Sequence, residues 1–177
     1  MKRLKDISRY MALLLRHSPE KEKLRLDKEG YCSVDILCER LGITKQDLDW
    51  IVDNNDKKRF AYNSSKTLIR ASQGHSIDHE ISYTICSDVP DLYHGAPNKV
   101  VDLILIGGIR KMDRTHVHLS DKIETATKVG ARRGEHTILK IDGNKMIEQG
   151  GVIYISDNGV YLTDFVDPKY ISIHDGV

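Results

Sequence analysis

The sequence predicts an α+β protein in two parts, helical at its start and rich in short strands afterwards. Three observations lead there. The first 55 residues carry apolar side chains at helical spacing, with helix stops at Pro19 and Gly42. From about residue 90 the pattern changes to short apolar runs bounded by turn residues. A chain of 177 residues also suffices for one ordinary domain or two compact ones with a buried core, without disulfides or a structural metal.

The elements follow in order. Ile7, Tyr10, Met11, Leu14 and Leu15 fall at i, i+3, i+4, i+7 and i+8, a single stripe on a helix. Pro19 ends that helix by disfavouring the helical region for Ser18, which leaves Arg16 and His17 in the last turn. Leu24 and Leu26 alternate into the turn Asp27-Lys28-Glu29-Gly30 and out through Tyr31-Cys32-Ser33-Val34, predicting a short hairpin. A second helix is expected from Asp35 to Leu41, closed by Gly42. Thr44 and Asp47 resemble a capping box with Asp in place of the usual Glu, and Leu48, Ile51 and Val52 supply the buried face of a third helix. Trp50 is assigned to the core or its flank. Strands Phe60-Ala61-Tyr62 and Leu68-Ile69-Arg70-Ala71 then flank the polar turn Asn63-Ser64-Ser65-Lys66. Three helices and a terminal hairpin predict a winged-helix-like module, a relative of the helix-turn-helix.

In the second part, strands are expected at Leu92-Tyr93-His94, His116 to Ser120, Thr137 to Ile141, Val152 to Ile155, Val160 to Leu162 and Tyr170 to Ile173. Asp157-Asn158-Gly159 reads as a type I′ hairpin turn, since Asn-Gly accepts two positive φ angles. Short helices fit Asp121 to Val129 and Lys145 to Gln149. The division is drawn at 1–86 and 87–177, with a linker over 74–91 and no internal repeat.

Charge and cysteine use narrow the function. Lys and Arg total 27 against 26 Asp and Glu, a net charge of +1, which excludes a globally basic nucleic-acid coat protein and an acidic tail protein. The halves differ, at +3 for 1–86 and −2 for 87–177. Cys32, Cys38 and Cys86 are odd in number and lack CxxC spacing, as expected of reduced thiols in a cytoplasmic protein. The most apolar stretch, Val100 to Ile109, is too short to span a bilayer and is broken by Asp102 and Gly107-Gly108. A monomer is the default, because no coiled-coil seam is present.

Arg16-His17 alone says little, because cations in a last helical turn are favoured by the helix dipole. Their company is more informative: Arg59 before a strand, Arg70 inside one, and Arg132-Arg133 between Gly130 and Gly134. Guanidiniums held by strands and glycine turns suit phosphate, because a planar fork binds two oxygens at once. His116 and His118 sit two apart in an expected strand, but no HExxH, CxxC or compact carboxylate cluster completes a metal site. In Tyr93-His94-Gly95 the glycine is expected to permit close approach of a ligand at a strand end. GxGxxG, GxxxxGK[ST] and GxSxG are absent, so Rossmann, P-loop and α/β-hydrolase chemistry lack support.

Eight blocks in order carry a more specific signal. They are Arg16-His17-Ser18-Pro19, Leu26-Asp27-Lys28-Glu29-Gly30-Tyr31, Asp56-Lys57-Lys58-Arg59-Phe60, Ile69-Arg70-Ala71-Ser72-Gln73-Gly74-His75-Ser76, Leu92-Tyr93-His94-Gly95, His116-Val117-His118-Leu119-Ser120, Val129-Gly130-Ala131-Arg132-Arg133-Gly134 and Asn158-Gly159-Val160-Tyr161-Leu162. Together they resemble the RNA 2′-phosphotransferase family of the KptA type, over nearly the whole chain.

The resemblance implies a winged-helix RNA-binding lobe followed by an ADP-ribosyltransferase-like lobe that binds NAD, consumed as co-substrate, with no metal. The implied substrate is RNA bearing an internal 2′-phosphate, such as a tRNA splice junction. That phosphate attacks the nicotinamide ribose and expels nicotinamide, and the ribose 2″-hydroxyl then attacks phosphorus, leaving 2′-OH RNA and ADP-ribose 1″,2″-cyclic phosphate. Arg16, His17, Arg59 and Arg132 are similar to the family's catalytic Arg-His-Arg-Arg set. His94, His118 and Val160 take the three signature positions of the NAD lobe, with Gly95, Arg114 and Ser120 as further cofactor contacts. Arg70, Gln73, His75 and Ser76 fall to the RNA side, and Gly74 lies in the same run. The chain departs from the family at Ala96, usually Thr, whose hydroxyl would bond the cofactor, and also at Arg133, often His, and Tyr161, often Trp. Two alternatives stand beside this: an ADP-ribosyltransferase that caps phosphorylated nucleic-acid ends, and a non-catalytic winged-helix binder.

Overall fold

A computed structural model describes residues 2–55, 57–77 and 81–174. The chain divides into two compact units, Met1–Ser82 and Tyr83–Val177.

In the first unit α1 (Lys2–Arg16) buries Met11, Leu14 and Leu15 and ends at Arg16, and Pro19 opens a 3-10 turn, Pro19–Glu22. The expected hairpin over 24–34 does not form. Lys23 turns left-handed after the 3-10 turn (φ 52°), the Leu24 N–H donates to the Pro19 carbonyl, and residues 24–26 belong to no strand. Asp27 still makes its turn, its carboxylate accepting from the Glu29 and Tyr31 N–H groups at 2.9 and 2.8 Å. The strand beyond it, β1 (Cys32–Ser33), pairs instead with a distant strand.

Helix α2 (Val34–Leu41) is capped by the Ser33 hydroxyl and closed by Gly42, and α3 (Lys45–Asp53) starts with the capping box of Thr44 and Asp47. Trp50 is half-buried against the core. Strands β2 (Phe60–Tyr62) and β3 (Leu68–Ala71) form an antiparallel hairpin, and β1 adds to β3, giving the order β1-β3-β2. Ile69 and Ala71 face the core with Leu37, Leu48 and Ile51.

The second unit holds β4 (Thr84–Ile85), β5 (Leu92–Pro97), α4 (Asn98–Gly107), β6 (Ile109–Arg110), β7 (Val117–Leu119) and α5 (Ile123–Gly130). A 3-10 turn (Ala131–Arg133), β8 (His136–Ile141), α6 (Gly143–Glu148), β9 (Tyr154–Ile155), β10 (Tyr161–Thr163), β11 (Phe165–Val166), a second 3-10 turn (Pro168–Tyr170) and β12 (Ile171–Ile173) follow. Helix and sheet are mixed throughout, as the α+β class requires. One sheet runs β12-β8-β5 and another β4-β9-β10-β7, with β11-β6 separate and all neighbours antiparallel. A bridge between Tyr93 and Ser120 links β5 to the end of β7. Leu92, Leu119, Leu139, Ile141 and Ile153 lie at the centre of the core.

Two sequence expectations change here. Helix α4 has no counterpart among the elements expected from the sequence: its apolar residues run consecutively from Val100 to Ile106 apart from Asp102, so no face shows a period, and Leu103 and Ile106 remain exposed. The 157–159 turn is not type I′. The Gly159 N–H donates to the Ser156 carbonyl and the Ser156 N–H to the Val160 carbonyl, which makes a three-residue loop. Gly159 has a positive φ (75°) and Asn158 does not, the pattern of a type I turn followed by a left-handed bulge residue. Strand β4 pairs with Tyr154–Ile155, and both lie in the second unit.

A Cβ at Gly159 meets nothing within 4 Å, so only backbone strain opposes a side chain there. Gly159→Ala is expected to cost about 1 kcal/mol and Gly159→Asn less, measured by urea unfolding.

Candidate active site

In the first unit the segment after β3 folds back onto the end of α1. The Ser76 N–H donates to the Arg16 carbonyl at 3.0 Å, and the Arg16 guanidinium lies 3.7 Å from where a Gly74 Cβ would sit. His17 Nδ1 and Ser76 Oγ are 2.9 Å apart, a hydrogen bond that orients an otherwise exposed imidazole. His75, between Gly74 and Ser76, is buried at 1% exposure, and Gln73 is half-buried.

Arg59 is tied to the same segment by its backbone. The Ser72 N–H donates to the Arg59 carbonyl at 2.8 Å, and the Ser72 hydroxyl donates to the Lys58 carbonyl at 2.9 Å. The Arg59 Nη1 donates to Asn55 Oδ1 at 3.2 Å. Residues 72–76 therefore connect the elements that carry Arg16, His17 and Arg59. Asn55 carries no sequence signal of this role, since short polar residues in loops are commonplace, and Ser72 stands in its motif block without a role of its own. Asp56, the first residue of its motif block, lies outside the described residues. Arg70 is engaged elsewhere: its guanidinium lies 4.7 Å from the Tyr31 ring centre and 3.8 Å from the Glu29 carboxylate.

In the second unit the Tyr93–Ser120 bridge sets the geometry, with N–H to carbonyl distances of 2.7 and 3.0 Å. It brings His94 to the end of β7, where His94 Nδ1 lies 3.1 Å from the His118 carbonyl. His118 Nδ1 in turn lies 3.0 Å from the His116 carbonyl. A carbonyl oxygen only accepts, so both Nδ1 atoms carry hydrogen, and in the neutral ring Nε2 is left as an acceptor. Burial holds the His94 ring below the usual imidazole range, outweighing the opposing effect of its bond to the His118 carbonyl. Tyr161 pairs with Leu119, so one further step of the register sets Val160 opposite Ser120. His116 ends just before β7, its ring packed edge-on to Tyr83 and Tyr154 at 5.6 and 5.9 Å.

Gly95 makes room for a helix. It lies inside β5 rather than at its end, and a Cβ there would stand 2.1 Å from the Ala126 carbonyl oxygen and 2.9 Å from the Gly130 nitrogen. The close approach is made by α5. That contact seats the end of the helix, where Arg132 and Arg133 form the exposed 3-10 turn. Burial lowers the Arg114 guanidinium, and the Arg132 and Arg133 charges lower it further, so three guanidiniums share one electrostatic neighbourhood that favours an anion.

The three cysteines are held as thiols by their surroundings. Burial pushes Cys32 up to about 12 and also raises Cys38 and Cys86, so none is a ready thiolate. Among the described residues no three His, Cys, Asp or Glu side chains gather into a metal-binding group.

The model of the family described as "RNA 2'-phosphotransferase, Tpt1 / KptA family" matches residues 2–165. The chain belongs to this family. Its relatives include a protein of Flavobacterium johnsoniae, 49% identical over 172 residues and covering 94% of each chain. Another, from Hahella chejuensis, is 42% identical over 179 residues, covering 98% of this chain and 96% of its own. A third, from Trichormus variabilis, is 43% identical over 170 residues, covering 93% of each. All three bear the name "Probable RNA 2'-phosphotransferase". Within this RNA 2′-phosphotransferase family member, the Ala96 departure has a structural setting: the side chain is fully buried in the core of the second unit beside Val101 and Leu139. A threonine hydroxyl would enter that core, so Ala96 stands as a packing residue rather than a lost cofactor contact.

Gly95→Ala is expected to destabilise the protein by about 3 kcal/mol, well beyond Gly159→Ala, because its methyl meets helix backbone that no rotamer change can clear. Urea unfolding of the two variants side by side checks this. For His94, lowering of the folded-state pKa means that the unfolded chain binds more protons, so its contribution is present above about pH 6.5 and is lost as pH falls through the folded value. His94→Gln is expected to flatten the loss of stability between pH 7 and pH 5, read from urea midpoints across that range.

Proposed function

We propose that the protein is an NAD-dependent RNA 2′-phosphotransferase that removes an internal 2′-phosphate, of the tRNA splice-junction type, from RNA. The observation that carries this reading is the family match over residues 2–165, and the hydrogen bonds that order His17, Arg59 and His94 support it. On this reading the first unit is a winged-helix RNA-binding lobe and the second an ADP-ribosyltransferase-like lobe.

The residues of the second unit suit a dinucleotide. His94 and His118 each commit Nδ1–H to a backbone carbonyl, which sets their tautomers, and His94 offers Nε2 to a ribose hydroxyl donor. The low pKa of His94 keeps that acceptor available at neutral pH. Arg114 and Arg133 add positive charge for phosphate oxygens, and Ser120 and Val160 line the same strand end. NAD supplies the leaving nicotinamide and the electrophilic ribose carbon.

In the first step an oxygen of the RNA 2′-phosphate forms a bond to that carbon, and the bond to nicotinamide breaks with its electron pair going to the ring nitrogen. Arg16, His17 and Arg59 hold the phosphate in line for attack. The nucleophile is already an anion, so the apolar Val160 is adequate where a general base would otherwise be required. In the second step the ribose 2″-hydroxyl gives up its proton and bonds to phosphorus, and the bond to the RNA 2′-oxygen breaks, that oxygen taking a proton in return. Arg59 and Arg132 stabilise the negative charge that builds at phosphorus. The products are 2′-OH RNA, nicotinamide and ADP-ribose 1″,2″-cyclic phosphate.

Incubation with NAD and an oligoribonucleotide bearing one internal 2′-phosphate, following nicotinamide, ADP-ribosylated RNA and 2′-OH RNA, tests the proposal. The expected result is release of nicotinamide and 2′-OH RNA together. An ADP-ribosylated product that never resolves would favour a capping ADP-ribosyltransferase, and no nicotinamide would leave only an RNA binder. Arg59→Ala and Arg132→Ala are expected to slow the second step by about 100-fold, more than the first, so that the intermediate accumulates. Full turnover without intermediate in either variant would remove them from the mechanism.

A further inference from the structure

His136 is an imidazole that the mechanism above does not use, and it meets both ends of the 3-10 turn that carries Arg132. It is the first residue of β8, half-buried, and it pairs with Pro97 on β5, so its backbone belongs to the sheet. A Cβ at Gly130 would lie 2.8 Å from His136 Cδ2 and 2.9 Å from its Cγ, so the ring occupies the place of a side chain there. At the other end of the turn, His136 Nδ1 lies 3.3 Å from the Gly134 carbonyl. That oxygen only accepts, so Nδ1 carries the hydrogen.

The two glycines that flank the turn are required for different reasons. Gly130 has a helical φ of −59°, open to any residue, but the His136 ring leaves a side chain no room. Gly134 has room, since a Cβ there meets nothing within 4 Å, but its φ of 97° favours glycine. Between them Ala131–Arg133 is a single exposed turn, and the Gly134 N–H closes it on the Ala131 carbonyl at 3.3 Å, a long hydrogen bond. So short a turn takes its direction from contacts outside itself. The imidazole supplies one at each end, packing at Gly130 and a donor at Gly134, and both lead back to the sheet.

We infer that His136 is the positioning residue for Arg132, clasping the turn from β8 without itself touching substrate. This rests on the reading of Arg132 as a residue that stabilises charge at phosphorus in the second step.

The test follows single turnovers with NAD and an oligoribonucleotide bearing one internal 2′-phosphate. Nicotinamide release reads the first step, and decay of the ADP-ribosylated strand reads the second. His136→Ala removes both contacts and is expected to slow the second step by about ten-fold, with less than about two-fold on the first. His136→Phe keeps the packing on Gly130 and loses the donor, so it is expected to fall between the wild type and His136→Ala. His136→Asn keeps a donor near the position of Nδ1 and is expected to restore the second step to within about three-fold of the wild type. In the Arg132→Ala background, His136→Ala is expected to cost less than about two-fold, because the group through which it acts is gone. Amide exchange over 131–134 reads the clasp without turnover. It is expected to quicken by about three-fold or more in His136→Ala and to stay near the wild-type rate in His136→Asn.

A second step left at its wild-type rate, equal slowing of both steps, a full effect in the Arg132→Ala background, or unchanged amide exchange overturns the role of His136 alone. If His136→Ala fails to fold, His136→Phe decides by the same criteria. A wild type that releases no nicotinamide overturns the proposed activity and this assignment with it.

Discussion

Two backbone hydrogen bonds between Tyr93 and Ser120, at 2.7 and 3.0 Å, hold the second unit's two larger sheets in register at one point. Strand β5 belongs to one sheet and β7 to the other, and among the described residues no longer ladder joins them. The bridge places His94 where its ring can donate to the His118 carbonyl, and His118 repeats the arrangement with His116. The tautomers of both imidazoles follow from backbone carbonyls rather than from neighbouring side chains. The acceptor nitrogen of His94 is therefore fixed by main-chain geometry, which costs no rotamer freedom when a ligand arrives.

The first unit uses the opposite strategy. Its three motif residues stand at an α1 terminus, on the residue beyond it and in a loop, places where the main chain alone does not fix a side chain. Side-chain clasps supply the order: Ser76 on His17, Ser72 on the Arg59 loop and Asn55 on the Arg59 guanidinium. Hydrogen bonds of this kind contribute about 1 kcal/mol each, so the arrangement depends on several acting together.

What could be read from the sequence divides along the same line. Elements with a local signature were legible: α1 by its stripe and Pro19, α2 by Gly42, α3 by Thr44 and Asp47, and β2 and β3 by the turn between them. Elements that exist through a partner were not. Strands β6 and β11 are two residues each and owe their form to one another, β1 pairs with β3 across 36 residues of chain, and α4 shows no period because its apolar run covers every face. The candidate site was legible through motif resemblance, which names residues without explaining their surroundings. Thus the motif does not announce that Gly95 admits a helix or that Ala96 fills the core.

The contact of α5 with Gly95 also separates two kinds of change along that helix. The distance between β5 and the helix axis is set by main-chain atoms, the Ala126 carbonyl and the Gly130 nitrogen, and by no side chain of the outward face. Glu124, Thr125 and Lys128 are exposed on that face. Their size and charge can therefore be altered without displacing the turn that carries Arg132. The outer surface of α5 is free to be re-engineered for solubility or labelling while the guanidinium at its end stays where the strand puts it.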